Sequence, residues 1–124
     1  MIDFESERVI KLSKTKDKGP LEDVELLFIQ GESVVGVFKG VRDYVMFTTK
    51  RIIAVNVQGL TGKKKDFTSL PYSRIQAFSV ETSGHFDLDS ELELYFSTLG
   101  KIKFEFTGGC DIVGIGKVIA TYVL

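Results

Sequence analysis

What the chain lacks narrows its reading first. Its 124 residues hold one cysteine, one histidine, two prolines and no tryptophan. A lone Cys110 excludes an internal disulfide framework and a cysteine-rich zinc site. With His85 as the sole histidine and Cys110 as the sole cysteine, many catalytic and metal constellations cannot be assembled. An excess of one charge is also missing. Sixteen Lys plus Arg against 17 Asp plus Glu leave a net charge of −1, which excludes a wholly basic nucleic-acid binder. No run approaches the ~18 apolar residues that a membrane-spanning helix needs, and the stretch from Val118 to Leu124 is far shorter. The opening Met1-Ile-Asp-Phe-Glu-Ser-Glu7 is acidic and has no basic-then-apolar leader pattern. Together with the unpaired thiol, this sets the expectation of a cytoplasmic chain without a targeting segment.

What is present suffices for one domain with a core: 44% of the residues are hydrophobic and 11% aromatic, which argues against disorder. The pattern divides the chain into an N-terminal helical extension, residues 1–32, and a strand-rich domain, residues 33–124. The first 33 residues carry eight acids and five bases. Gly19-Pro20 is a strong breaker, so any earlier helix should stop before it. Apolar residues at 21, 24, 27 and 28, with acids at 22, 23 and 25, predict a short amphipathic helix over Glu22–Ile29.

From Ser33 onward the pattern is strand after strand. Val34–Phe38 and Tyr44–Phe47 flank Lys39-Gly-Val-Arg-Asp43, a hairpin-like connection, and Arg51–Val57 follows at once. Gln58-Gly-Leu-Thr-Gly62 is a turn, and Phe67–Leu70 is a strand cut by Pro71. Ile75–Thr82 is another, and its phase slips between Ala77 and Phe78 as if at a bulge. The closing hairpin alternates most cleanly: Leu88, Leu92, Leu94 and Phe96, then Ile102, Phe104 and Phe106, face one side, with a turn at Leu99-Gly100. Gly108-Gly109 breaks it. Asp111 can cap a last helix with apolar positions 112, 115, 118, 119 and 122. About seven antiparallel strands that must curl to bury one face, plus a helix to plug the open end, predict a mainly β bent barrel or sandwich.

Several blocks together resemble a known family. They are Val41-Arg-Asp-Tyr-Val-Met-Phe-Thr-Thr-Lys-Arg-Ile-Ile53, Gln58-Gly-Leu-Thr-Gly-Lys-Lys64, Ser69-Leu-Pro-Tyr-Ser73, Phe78-Ser-Val-Glu-Thr-Ser-Gly84 and Phe86-Asp-Leu-Asp-Ser-Glu-Leu92. In that order they are similar to the bacterial pleckstrin-homology (PH) domains, over about residues 21–124. The resemblance implies a seven-stranded PH-like barrel with a C-terminal helix, no enzymatic activity and no cofactor. It also implies a ring-shaped cyclic homo-oligomer, a pentamer, whose polar surface serves protein–protein interaction. Asn56 departs from the acidic residue expected there, and Gly114 and Gly116 depart from helix-forming preference in the closing helix.

Charge is sorted along the chain. Residues 39–74 hold eight bases against Asp43 and Asp66, and residues 81–93 hold five acids and no base. Opposite segments of this kind suit docking of copies or partners, or are simply solvated faces. The candidate interaction surface comprises Arg42, Lys50, Arg51, Gln58, Lys63, Lys64, Lys65, Glu81, Asp87, Asp89 and Glu91. Lys63-Lys-Lys65 reads as a solvated hairpin tip, a docking site for a protein or anionic surface, or a lipid-phosphate contact. An anionic-membrane module built on these bases, Arg42 and Arg51 is the alternative function. Asp87, Asp89, Glu91 and Glu93 share one strand face at ~6.6–7 Å spacing, which suits a solvated face better than the converging ligands of a Ca²⁺ loop. His85 reads as a surface-loop residue and Cys110 as a small packing residue. Gly59-x-x-Gly62-Lys63 has the wrong spacing for a phosphate-binding loop.

Overall fold

The structure is a computed structural model that describes Met1 and residues 10–16, 19–84 and 89–124. The expectations for His85, Asp87 and Leu88 lie outside the described residues. Among the described residues there are eight strands: β1 (Ile10–Lys14), β2 (Val34–Lys39), β3 (Tyr44–Thr48), β4 (Arg51–Gln58), β5 (Lys64–Pro71), β6 (Ala77–Glu81), β7 (Ser90–Phe96) and β8 (Gly100–Phe106). Two α-helices join them, α1 (Gly19–Glu25) and α2 (Ile112–Val123). A 3-10 turn at Tyr72–Arg74 links β5 to β6. The strands lie in the order β5-β4-β3-β2-β1-β8-β7-β6. This is an open, PH-like sheet of two antiparallel meanders with a C-terminal helix.

The seven expected strands are β2 to β8. The eighth, β1, falls in the segment read as a helical extension. It pairs antiparallel with β2 and parallel with β8, and so joins the two meanders. The helix also shifts: it begins at Gly19-Pro20 and ends at Glu25, where Glu22–Ile29 was expected. Proline is tolerated in a first turn because its missing N–H would have had no partner there. The bulge expected at Ala77/Phe78 is absent, since β6 pairs with β7 in unbroken register from Ala77↔Tyr95 to Glu81↔Glu91. The phase slip arises because Ile75 belongs to the exit of the 3-10 turn, where its N–H donates to the Tyr72 carbonyl. A register shift does occur in β2, between Val34 and Gly36.

Two apolar clusters hold the sheet. The main one lies between the meanders and under α2, with Leu12, Phe47, Leu92, Leu94, Ile102, Phe104 and Phe106 all buried. The rings of Phe38, Phe47 and Phe106 pack edge-on or tilted at 5.0 to 6.3 Å. The second cluster, Val24, Met46, Ile53 and Val55, lies on the other face of β3 and β4, with Leu21 and Phe28 packed against it. Burial on both faces explains why Ile52–Val55 is apolar without alternation.

The capping helix starts as expected, with the Asp111 carboxylate accepting from the Gly114 N–H at 3.0 Å. Gly114 leaves room for the Asp111 cap, and Gly116 serves packing. A Cβ on Gly116 would lie 2.9 Å from Val80 Cγ2, so glycine lets α2 approach β6 closely.

Candidate functional site

The candidate residues do not form one site. The β3–β4 turn lies at one end of the meander. The β2–β3 and β4–β5 turns lie at the other, because antiparallel strands alternate direction. Lys50 and Arg51 therefore sit apart from Arg42, Gln58, Lys63, Lys64 and Lys65.

Arg51 is committed within the chain. Its Nε and one terminal nitrogen form a two-pronged pair with Glu32, both at 3.0 Å. The same terminal nitrogen donates to the Leu27 carbonyl at 2.7 Å, and the other to Ser69 Oγ at 3.0 Å. The Glu32 side chain is fully buried, and its carboxylate also accepts from Thr48 Oγ1 at 2.6 Å and from the Ile29 N–H at 3.2 Å. Burial pushes this carboxyl up, but the bonds from Arg51, Thr48 and Ile29 outweigh it and hold it below the usual carboxylate range. The pair ties the loop after α1 to the β3–β4 turn. Lys50 is left exposed beside it.

At the other end, an Arg42 terminal nitrogen donates to the Gly59 carbonyl at 2.5 Å and joins the two hairpin tips. Gly59 has φ 77° and Gly62 φ 68°, left-handed values that glycine adopts without strain. Each tip carries a fully exposed apolar side chain, Val41 on one and Leu60 on the other. The lysine cluster is not wholly a free tip. Lys64 and Lys65 lie in β5, and Lys65 is bonded to Asp23 of α1. Lys63 and Lys64 stay exposed, and Gln58 lies opposite Lys64 in the ladder. The neighbouring Asp66 is taken by the N-terminal ammonium at 2.8 Å.

The acids gather on the outer face of β6, β7 and β8. Cross-strand pairing sets Glu81, Glu91 and Glu105 in one row, with Lys11 of β1 at its end. Lys103 Nζ lies 3.0 Å from Glu91 and 3.7 Å from Glu93. The Glu91 carboxylate, sharing a hydrogen bond and repelling like charge, raises the Glu81 carboxyl. Burial first, then a shared hydrogen bond with Asp89, and then the Asp89 and Glu91 charges raise that of Glu105, while Lys11 opposes them. The Glu91 partner raises the Lys103 ammonium as well. Glu105 was not among the expected residues. Its place in the row depends on β7–β8 register, which the sequence signals only through alternation. Among the described residues no group of His, Cys, Asp or Glu is placed to hold a metal ion. Among them, too, no helix is long and apolar enough to cross a membrane.

Residues 3–123 match the family described as the Bacterial PH domain. A Bacillus subtilis (strain 168) protein, the uncharacterized YjqA, is 46% identical over 101 residues, covering 80% of this chain and 81% of its own. A DUF1696 family protein with a pleckstrin-homology domain from Shewanella loihica PV-4 superposes with a TM-score of 0.77. It is 35% identical, with 92% of this chain and 98% of that one covered. A pleckstrin homology domain from Shewanella amazonensis SB2B gives a TM-score of 0.65 at 41% identity, covering 90% and 91%. The chain belongs to the bacterial PH domain family.

Proposed function

We propose that this bacterial PH domain is a non-catalytic module that joins copies of itself head to tail into a closed ring, a pentamer, and presents a polar surface to a protein partner. The observation that carries this reading is the open sheet, whose two edge strands, β5 and β6, are unlike in charge. An unpaired edge offers a row of backbone N–H and C=O groups for pairing. On β5 that row begins at exposed Lys64, just after exposed Lys63. On β6 it ends at exposed Glu81, beside Glu91. One protomer's basic edge meeting its neighbour's acidic edge is a heterologous contact, and such contacts close into rings when the rotation permits. The number five comes from family resemblance. Arg51 is bound to Glu32 and Lys50 lies at the other end of the meander, so Lys63, Lys64 and Arg42 are the candidate cations at the end where β5 begins.

Size-exclusion chromatography with light scattering tests it. A ring elutes as one species several times the 13.8 kDa chain mass. Glu81→Lys lowers the assembled fraction, more so at low salt. A monomer at micromolar concentration overturns the ring, and a two-fold dimer overturns the head-to-tail contact.

The hairpin tips support a second reading, docking on an anionic membrane. Exposed Val41 and Leu60 project where Lys39, Arg42, Lys63 and Lys64 gather. Apolar tips with a basic collar suit shallow insertion among anionic headgroups. Sedimentation with phosphatidylglycerol vesicles, lost in Val41→Ser with Leu60→Ser and lost in salt, would support it. Equal recovery with phosphatidylcholine vesicles would refute it.

A further inference from the structure

A cleft of about 670 Å³ opens beside β2 and is unrelated to either charged face. Its origin is in the strand pairing. β1 pairs with β2 at two positions, Ser13↔Lys39 and Lys14↔Phe38, and the pairing goes no further. From Val37 back to Val34, no strand pairs with β2 on that side among the described residues, and the register shift at Val34/Gly36 lies within this length. Gly36 of β2 and Gly114 of α2 both line the cleft and add no side chain to fill it.

The lining is apolar within and cationic outside. The buried rings of Phe38 and Phe47 contribute from the core, and Ile115 and Val118 contribute from α2. Lys14 and Lys16 line it as exposed residues, and among the described residues neither is in an ion pair. The acid that also lines it, Asp111, is engaged in capping α2. The volume falls within the ~300–1,000 Å³ typical of small-molecule sites, which are largely apolar with a few polar groups that fix orientation.

We propose that this cleft binds a long-chain carboxylate, with its alkyl tail against Phe38, Phe47, Ile115 and Val118 and its head group on Lys14 and Lys16. The charge selects the class. A neutral hydrocarbon would leave two lysines without a role, and a carboxylate gains charge-assisted hydrogen bonds from them. Lining by β2 on one side and α2 on the other leaves an apolar wall on each side for an alkyl chain. The site is built by one polypeptide and does not depend on the ring.

Isothermal titration of the full chain with laurate, myristate and palmitate, kept below their micelle concentrations, tests this. We expect one site per chain and an affinity that rises about fourfold per methylene until the cleft is full. Lys14→Gln with Lys16→Gln should weaken myristate at least about tenfold and leave myristyl alcohol unchanged. Both positions are exposed, so this variant keeps its fold. Val118→Trp, which fills the cleft, should abolish binding with the circular dichroism spectrum preserved. No heat at ~100 μM ligand, or binding indifferent to the lysine variant, overturns the proposal. So does a Val118→Trp chain that keeps its ligand but changes its oligomeric state, because a second copy would then be the occupant.

Discussion

Removing the Arg51 guanidinium tests the most specific structural claim, that a buried ion pair pins the loop after α1 to the sheet. Arg51→Met keeps much of the stem volume and deletes four hydrogen bonds, two of them to the fully buried Glu32. Ser69 and the Leu27 carbonyl can turn to water at the surface, so their loss costs little. Glu32 is covered by the guanidinium itself and, among the described residues, keeps Thr48 Oγ1 and the Ile29 N–H. Stranding one partner of a buried pair costs ~3–5 kcal/mol. The two remaining donors and the option of taking up a proton place the expected loss near ~3 kcal/mol. For a chain of this size that lowers the Tm by roughly 10 °C.

The pH dependence separates this from a simple packing defect. The Glu32 carboxyl titrates below its unfolded value, so its contribution is present above the unfolded pKa and is lost as pH falls through the folded one. Without Arg51, burial acts with less opposition and the carboxyl moves upward, so acid relieves the variant. The stability gap should therefore be widest near neutral pH and shrink as pH falls from the variant's raised carboxyl value through the wild type's lowered one. Urea titrations followed by circular dichroism, at neutral and acid pH, measure it. A gap under ~0.5 kcal/mol at pH 7, the range of an ordinary surface substitution, would refute the reasoning. So would a gap that does not change with pH.

Two further outcomes test the core. Phe104 is fully buried in the main cluster, so Phe104→Ala should cost ~3–5 kcal/mol; a Tm within a degree or two of wild type would mean that the β7–β8 register is wrong. Tyr72 is buried, stacked on Tyr122 at 5.7 Å, and its hydroxyl has no partner among the described residues. Tyr72→Phe should therefore be at least as stable as wild type in denaturant titration, because an unsatisfied buried hydroxyl costs ~1–3 kcal/mol. A clear loss would show that the hydroxyl is bonded.

The parts of the fold legible in the sequence are those with a single buried face. β7 and β8 alternate because one side meets the core and the other meets water, so Leu92, Leu94, Ile102 and Phe104 could be assigned by period alone. β1 could not: Ile10–Lys14 is short and mixed, and it becomes a strand by joining β2 and β8, a long-range event that leaves little local signal. Gly19-Pro20 reads equally well as a helix breaker and a helix start, and only the packing of Leu21 and Val24 under β3 and β4 decides. Among the candidate site residues, sequence proximity grouped Lys50 and Arg51 with Lys63–Lys65, and strand reversal sends the groups to opposite ends. Glu32 carried no signal, because nothing local marks an acid that will be buried beneath an arginine nineteen residues later.

Which charges are neutralised within the chain decides which surfaces remain available to others. Arg51 is paired with Glu32, Lys65 with Asp23, Asp66 with the N-terminus, and Glu91 and Glu93 with Lys103. These pairs cross between elements, so they hold the loop after α1, α1 itself and the β7–β8 ladder in place. Apart from Arg51–Glu32, these pairs are partly exposed and add little stability, but each removes both charges from any interface. Set against them are Lys64 at the start of β5, with Lys63 just before it, and Glu81 at the end of β6, all exposed and at the two edges of the sheet. A formal charge near zero overall thus hides two edges of opposite sign. That arrangement disfavours pairing of like edges, basic on basic or acidic on acidic, which would give a two-fold dimer. It favours the unlike pairing that the proposed ring requires.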